Sequence, residues 1–419
     1  MQSPDDHRES PSDEETGNGP LHGFRVIELG NFIAAPFASR LFADFGAEVV
    51  KIERPDGGDE LRGWRRHRGT TSMMFRTIAR NKQSVTIDLR EDAGRDLALR
   101  LIETADVVVE NFRPGTLERW GLGPDTLQER NPRLVMVRIS GYGQTGPNRD
   151  RAGFGGVAEA FGGLRHVTGH PDRPSVRPAA PIGDVLAGLH GAVGALVMLL
   201  ARERSGSDHS RPKVADVALH EAVFMAMESL IPDHDAYGIV RERTAGNLPG
   251  VVPGGVYNCS DGGVVIAGNS SGVFGRLMTA VGRPDLAADP DLADGNRRFH
   301  REAELDDAIT AWTGKRTVAV AVKELGAAGV PVGEVYDAAQ IASDAHFESR
   351  GMLQSLKVEI DAGVEEDIRF PGVVPRFDDR ATVVRWAGPD LGRHTDEVLR
   401  AALHLDDREL EELRARKVI

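Results

Sequence analysis

Apolar positions in the first half of the chain follow two alternating rhythms. FRVIEL (24–29) is a β-branched run of strand length. In APFASRLFADFG the apolar residues recur at helical spacing until Gly46 stops them. EVVKIE (48–53) is a second strand, so the segment predicts a compact βαβ unit, the building block of a parallel sheet with right-handed crossovers. The rhythm then repeats. SVTIDL (84–89) predicts a strand, EDAGRDLALRLIETA a helix, DVVVENF (106–112) a strand, TLERWG and DTLQERNP short helices, and LVMVRIS (134–140) a strand. An open, Rossmann-like α/β sheet is the expectation.

Residues 151–183 are rich in Gly, Pro and Arg and read as a long loop. Asp184 then opens a helix running to about Arg204. Gly188, Gly191 and Gly194 recur on it, each costing a helix about 1 kcal/mol relative to Ala, so something must approach that face closely. VADVALHEAVFMAMESLI (214–231) continues as strand then helix. Composition changes after about 235: a Gly/Pro-rich loop, AGNLPGVVPGG (245–255), precedes a strand VVIAGN (264–269) and several helices. The predicted organisation is a disordered tail (1–20), a large α/β domain (21–210) joined by the C-terminal segment 370–419, linkers at 211–235 and 341–369, and a smaller α/β domain (236–340).

Charge narrows the function. The net charge of −13 argues against nucleic acid or an anionic membrane as the main partner, though it leaves room for a local basic pocket. The single cysteine, Cys259, excludes an intramolecular disulfide and reads as a small strand-end residue. The N-terminal 20 residues are acidic and lack the apolar core of a signal peptide. Val185–Ala201 is shorter than the about 20 residues that span a bilayer, so a buried helix and a cytoplasmic protein are expected.

The turn after the first strand, LGNFIAAP, lacks the G-x-G-x-x-G that brings backbone close to a pyrophosphate. Phosphate-loop and nucleophile-elbow motifs are absent too, and histidines show no metal spacing; His220-Glu221 reads as structural. What stands out is a series of signatures at strand ends: KIERPDGGD (51–59), RNKQSVTID (80–88), ENFRPGTLERWG (110–121) and ISGYGQTGP (139–147). Ligands of open α/β sheets bind beyond the carboxyl ends of strands, and Arg54, Lys82, Arg113 and Arg119 are placed there as phosphate partners.

Together with PIGDVLAGLHGAVGALVMLLAR (181–202) and LGRHTDEVL (391–399), these signatures occur in the order of the family III CoA-transferases (CaiB/BaiF family), which this chain resembles from residue 21 to its end. The resemblance implies an enzyme that moves coenzyme A between carboxylic acids, with acyl-CoA as substrate, no permanently bound cofactor or metal, and an interlocked homodimer. It places the catalytic aspartate on Asp184. CoA contacts fall on Phe32, Ile33, Arg54, Lys82, Asn111, Phe112, Arg119, Trp120 and Tyr142. Ile33 and Ser140 stand where an oxalate-using member has glutamine and lysine, and its run of four glycines is missing; 245–255 lies in the corresponding region. GNLPGVVPGGVY and neighbouring stretches are most similar to the branch that uses succinyl-CoA with citramalate, itaconate or malate. Arg165, His166, Arg173 and Arg177 are candidate cations for a distal carboxylate.

Asp184 also suits a helix N-cap, a role compatible with nucleophilic catalysis. Two rival readings remain. A racemase on the same fold needs an acid/base group on each face of the α-carbon, and its A-G-H-D stretch corresponds here to Ala152-Gly153-Phe154-Gly155, where Phe154 carries no proton. The other is a CoA-binding homologue without activity.

Overall fold

The computed structural model describes residues 19–68, 71–205, 213–248, 250–361, 363–378 and 382–419. The tail expected to be disordered lies outside them, apart from Gly19 and Pro20. The chain divides into two compact units, one of Met1–Leu164, Ala179–Glu228 and Ala345–Ile419, the other of Arg165–Pro178 and Ser229–Asp344.

In the first unit the elements that bear on function are β1 (Arg25–Glu28), α1 (Ala34–Asp44), β2 (Glu48–Glu53), β3 (Gln83–Thr86), α2 (Asp92–Glu103), β4 (Val107–Glu110), α3 (Thr116–Arg119), β5 (Val135–Ser140), α4 (Gly155–Phe161), α5 (Ile182–Ser205), β6 (Val214–Ala218) and α6 (Leu219–Met225). The six strands form one parallel sheet in the order β3-β2-β1-β4-β5-β6. That order, 3-2-1-4-5-6, is the one found in dinucleotide-binding sheets. Its central strands are buried on both faces, which is why they read as unbroken apolar runs rather than alternating ones. One apolar cluster forms under α2 and the C-terminal helices, and a second under α1 and α5.

Several expectations are corrected here. Residues 151–183 are not a continuous loop, because α4 and a turn of helix at Leu164–Val167 lie within them. The segment 211–235 is no linker either; it supplies β6, the sixth strand of the main sheet. Helix α5 begins at Ile182, so Asp184 sits in its first turn and is not the capping residue. The glycines of α5 admit other elements of the same chain. A Cβ on Gly188 would lie 2.8 Å from the Ala34 carbonyl of α1, and one on Gly191 would lie 3.1 Å from Val137 of β5. The opposite face of α5 is open: Leu189, Val193, Leu196, Val197 and Leu200 form an exposed apolar stripe, with Val197 60% exposed. The helix is therefore not the fully buried one expected. Its length and apolarity would suffice to cross a membrane, but the face packed on α1 and β5 is that of a core helix.

The second unit is built on β7 (Gly254–Asn258), β8 (Gly263–Ala267), α7 (Ser271–Ala280), α8 (Glu302–Thr313), α9 (Val318–Ala327) and β9 (Val332–Glu334). Its three strands are antiparallel in the order β9-β8-β7. Phe274, Leu277, Ile309, Trp312 and Leu325 fill its core.

The chain then returns to the first unit with the antiparallel hairpin β10 (Leu353–Asp361) and β11 (Val364–Pro371), which occupies most of the expected 341–369 linker, and with α10 (Thr395–Leu403) and α11 (Asp407–Ala415). The LGRHTDEVL motif docks on the edge strand β3: Thr395 Oγ1 accepts the Thr86 N–H at 2.9 Å, and His394 Nδ1 accepts that of Ser84 at 3.2 Å.

Candidate active site

The strand order reverses between β1 and β4, so the turns leaving them diverge and open a crevice at the carboxyl edge of the sheet. A pocket of about 190 Å³ lies there, lined by Leu29 and Asn31 after β1, Ile52 and Arg54 at the end of β2, Asp88 and Arg90 after β3, and Phe112 and Trp120 after β4. Three of the residues singled out in the sequence, Arg54, Phe112 and Trp120, therefore line one pocket. Phe112 and Trp120 meet edge to face at 5.3 Å, and the Arg54 side chain is 45% exposed. Asp88 and Arg90, an ion pair at 2.6 Å, were missed. Asp88 read as part of the strand 84–89, and Arg90 as the residue between that strand and the next helix.

Asn111 does not point a free amide at this pocket. It bridges the two diverging turns, accepting the Asn31 N–H at 2.9 Å and donating to the Asn31 carbonyl at 2.7 Å. Phe32 follows with φ +64°, a left-handed conformation that costs a non-glycine residue about 1–2 kcal/mol. Its N–H donates to Asp59 Oδ1 at 2.9 Å. Ile33 is buried at the cap position of α1, and no side chain caps that helix.

Lys82 departs from its expected place among the phosphate contacts. It has no exposed surface, its Nζ sits 2.7 Å from Glu28, and it donates to the Pro36 carbonyl at 2.6 Å. Lys51 shares the same carboxylate at 2.6 Å. Burial alone would raise the Glu28 carboxyl, but Lys51 and Lys82 outweigh it and hold Glu28 at about 2. Burial pushes Lys82 down to about 8, with Glu28 pulling it up and Lys51 pushing it down again.

Arg113 and Arg119 are exposed, and Arg119 donates to Thr116 Oγ1 at 3.1 Å. Tyr142 is nearly buried beyond β5, its ring 5.4 Å from Phe161 and 5.6 Å from His220, whose Nδ1 lies 3.2 Å from the Gly141 carbonyl. Behind Phe112 lies Glu110, which accepts the Phe112 N–H at 2.7 Å. Burial pushes that carboxyl up to about 7 although Arg138 stands 2.7 Å away.

Asp184 is half-buried and faces backbone where another fold would put a side chain. A Cβ built on Gly155, the first residue of α4, would stand 2.2 Å from Asp184 Oδ2. Only glycine leaves room for the carboxylate in this position. The residue before it, Phe154, is 46% exposed; its ring lies 5.4 Å from Phe32 and 5.9 Å from Trp64, and those two rings are 5.0 Å apart. The predicted contact Phe32 thus belongs to a three-ring cluster that adjoins Gly155. Sequence reasoning noted Phe154 and Gly155 only for what they lack, and missed Trp64. Glu159, one turn further along α4, is a fully buried carboxyl against Gly183.

Arg165, His166, Arg173, Arg177 and the loop 245–255 belong to the second unit, with residue 249 outside the described residues. His166 stands 3.4 Å from Glu242, and Arg243 donates to the His166 and His170 carbonyls. Among the described residues no group of His, Cys, Asp and Glu is arranged to hold a metal ion.

Residues 21–395 match the family model described as CoA-transferase family III. The chain is 46% identical to a succinyl-CoA–D-citramalate CoA-transferase of Chloroflexus aurantiacus, over 96% of this chain and 98% of that protein. It is 40% identical to the alpha subunit of a succinyl-CoA–L-malate CoA-transferase of the same organism, over 96% and 92%. A crystal structure of a CaiB/BaiF family protein from Brucella suis superposes with a TM-score of 0.79 at 29% identity, covering 92% of this chain and all of that one.

Proposed function

We propose that this chain, which belongs to CoA-transferase family III and is an enzyme moving coenzyme A from an acyl-CoA to a carboxylic acid, does so through a covalent thioester on Asp184. The observation that carries the reading is the close approach of the Asp184 carboxylate to the Gly155 backbone in the first turn of α5. A carboxylate there is stabilised by the helix dipole yet stays half exposed to a substrate.

The chemistry follows from a carboxylate nucleophile. An Asp184 oxygen attacks the thioester carbonyl; the C–S bond breaks, leaving a mixed anhydride and CoA thiolate. The thiolate attacks the aspartyl carbonyl, the anhydride C–O bond breaks, the donor acid leaves as its carboxylate, and an aspartyl-CoA thioester remains. The acceptor carboxylate attacks that thioester and releases the thiolate. Thiolate attack on the acceptor's carbonyl then gives the new acyl-CoA and restores Asp184. No proton or electron is left over. Arg54, Phe112 and Trp120 hold the nucleotide part of CoA in the crevice at the carboxyl edge, a site suited to a phosphorylated ligand. Isomerisation is disfavoured because Phe154 has no proton to exchange and Gly155 has no side chain.

The relatives' names favour succinyl-CoA as donor and a small dicarboxylic or hydroxydicarboxylic acid as acceptor. The test is a screen of acceptor acids with succinyl-CoA, read by mass spectrometry, with hydroxylamine added in a parallel reaction. We expect a hydroxamate on the peptide containing Asp184, and Asp184→Asn to lose activity by several orders of magnitude. An Asn variant with near-normal turnover overturns the reading.

The exposed stripe Leu189, Val193, Leu196, Val197 and Leu200 supports a homodimer, since an apolar helix face of this length is seldom left to solvent. Light scattering should return twice the chain mass of 45.3 kDa; a stable, active monomer would refute it.

A further inference from the structure

We propose that Asp59 is a positioning residue for the transfer reaction, one carboxylate oxygen pinning both Phe32 and the turn that ends in Trp64, and so setting the aromatic wall beside Asp184. The proposal rests on the reading of Asp184 as the nucleophile.

The first βα turn lacks the glycines that let dinucleotide-binding turns take unusual backbone angles. Here buried and half-buried side chains do that work on three successive residues. Lys51 Nζ donates to the Gly30 carbonyl at 2.7 Å, Asn111 grips both backbone groups of Asn31, and Asp59 Oδ1 accepts the N–H of Phe32 at 2.9 Å. A phenylalanine with φ +64° persists only where its surroundings over-determine it. The Phe32 bond is the last of these grips and the one made at the strained residue.

The same Oδ1 accepts the Leu61 N–H at 2.8 Å, capping the short 3-10 helix Glu60–Gly63, whose next residue is Trp64. One oxygen thus fixes the starting points of two rings of the cluster. The third ring, Phe154, precedes Gly155, whose backbone touches the Asp184 carboxylate. Asp59 is itself held rigid: it is buried, its Oδ2 stands 2.8 Å from Lys51 Nζ, and its N–H donates to Glu53 Oε2 at 3.0 Å. Asp59 touches no substrate in this account. It acts through Phe32 and Trp64, whose rings shape the space a substrate acyl group occupies at Asp184.

A double-mutant cycle separates this role from a merely structural one. Asp59→Ala in the otherwise native enzyme should lower kcat by tenfold or more. The KM for succinyl-CoA should change little, because Asp59 itself does not line the pocket of Arg54, Phe112 and Trp120. In a Phe32→Ala background the same substitution should cost less, by about threefold or more, since one of the two rings it positions is gone. Equal losses in both backgrounds would show general destabilisation and overturn the proposal.

Asp59→Asn guards against a variant that does not fold. Its amide oxygen still accepts the Phe32 and Leu61 N–H groups while the charge facing Lys51 is lost. Melting temperature should fall while kcat stays within about threefold of native; a tenfold loss of kcat in this variant also overturns the proposal. If Phe32→Ala alone leaves kcat and KM unchanged, the positioning role fails while the nucleophile stands. Failure of the hydroxylamine trap in native enzyme removes the nucleophile instead.

Discussion

The turns that lead into α1 and α5 are built in opposite ways. Before α1, side chains from β2, the segment after it, and the end of β4 take hold of Gly30, Asn31 and Phe32, and the backbone is clamped in a conformation it would not choose. At α5 the decisive feature is a missing side chain: Gly155 lets the Asp184 carboxylate lie against backbone. The first turn buries its charges completely, in ion pairs of Glu28, Lys51, Asp59 and Lys82. The second leaves its one charge half exposed. A group that shapes a site gains from being over-determined, whereas a nucleophile has to stay reachable.

The sharpest way to break the comparison is to give the second turn a side chain. Gly155→Ala places a methyl carbon 2.2 Å from Asp184 Oδ2, far inside contact distance, so the carboxylate must swing away. A displacement of about 1 Å in a reacting group costs about 10²-fold in rate. We expect kcat to fall by that order with the melting temperature barely changed, because a half-exposed side chain has somewhere to go. An alanine variant with native kcat would show that the close approach is incidental to the reaction.

The same contrast explains what the sequence disclosed. The strands were legible because a parallel sheet buried on both faces demands unbroken β-branched runs such as VVV at 107–109. Phe112 and Trp120 came in through the family resemblance, whereas Arg54, which lines the same pocket, was legible at the carboxyl edge because it directly follows a strand, and strand ends of one sheet share an edge. Lys82 was not, since a buried lysine and an exposed one are spelled alike. What distinguishes it is Glu28, 54 residues earlier in the chain. The hydrogen bond from Phe32 to Asp59 is likewise non-local, 27 residues long, and no local pattern announces it. Asp184 was placed at the cap by residue preference alone, whereas α5 starts at Ile182, directly after Pro181. The apolar content of α5 was visible, but its division into a packed glycine face and an open Leu/Val face required knowing where α1 and β5 lie.

The smallest effect probes the clamped turn through pH. Glu28 is held at about 2 by Lys51 and Lys82, against a usual value of 4.5. A depressed carboxyl binds fewer protons in the folded state than in the unfolded one, so it stabilises the fold above pH 4.5 and loses that contribution as pH falls toward 2. Each pH unit in this window corresponds to about 1 kcal/mol from this group alone. Lys82 works in the other direction. Its folded value of about 8 lies below the usual 10.5, so the folded state sheds a proton first and the fold gains stability as pH rises from 8 to 10.5. Urea unfolding at pH 5.0 and pH 3.5 should therefore show a loss, to which Glu28 contributes about 1 kcal/mol. Glu28→Gln removes the titrating group and should flatten the difference by that amount, at the cost of a lower stability at pH 5.0 where Lys51 and Lys82 face an uncharged neighbour. If Glu28→Gln leaves the acid limb where it is, the buried ion pairs do not hold the clamped turn.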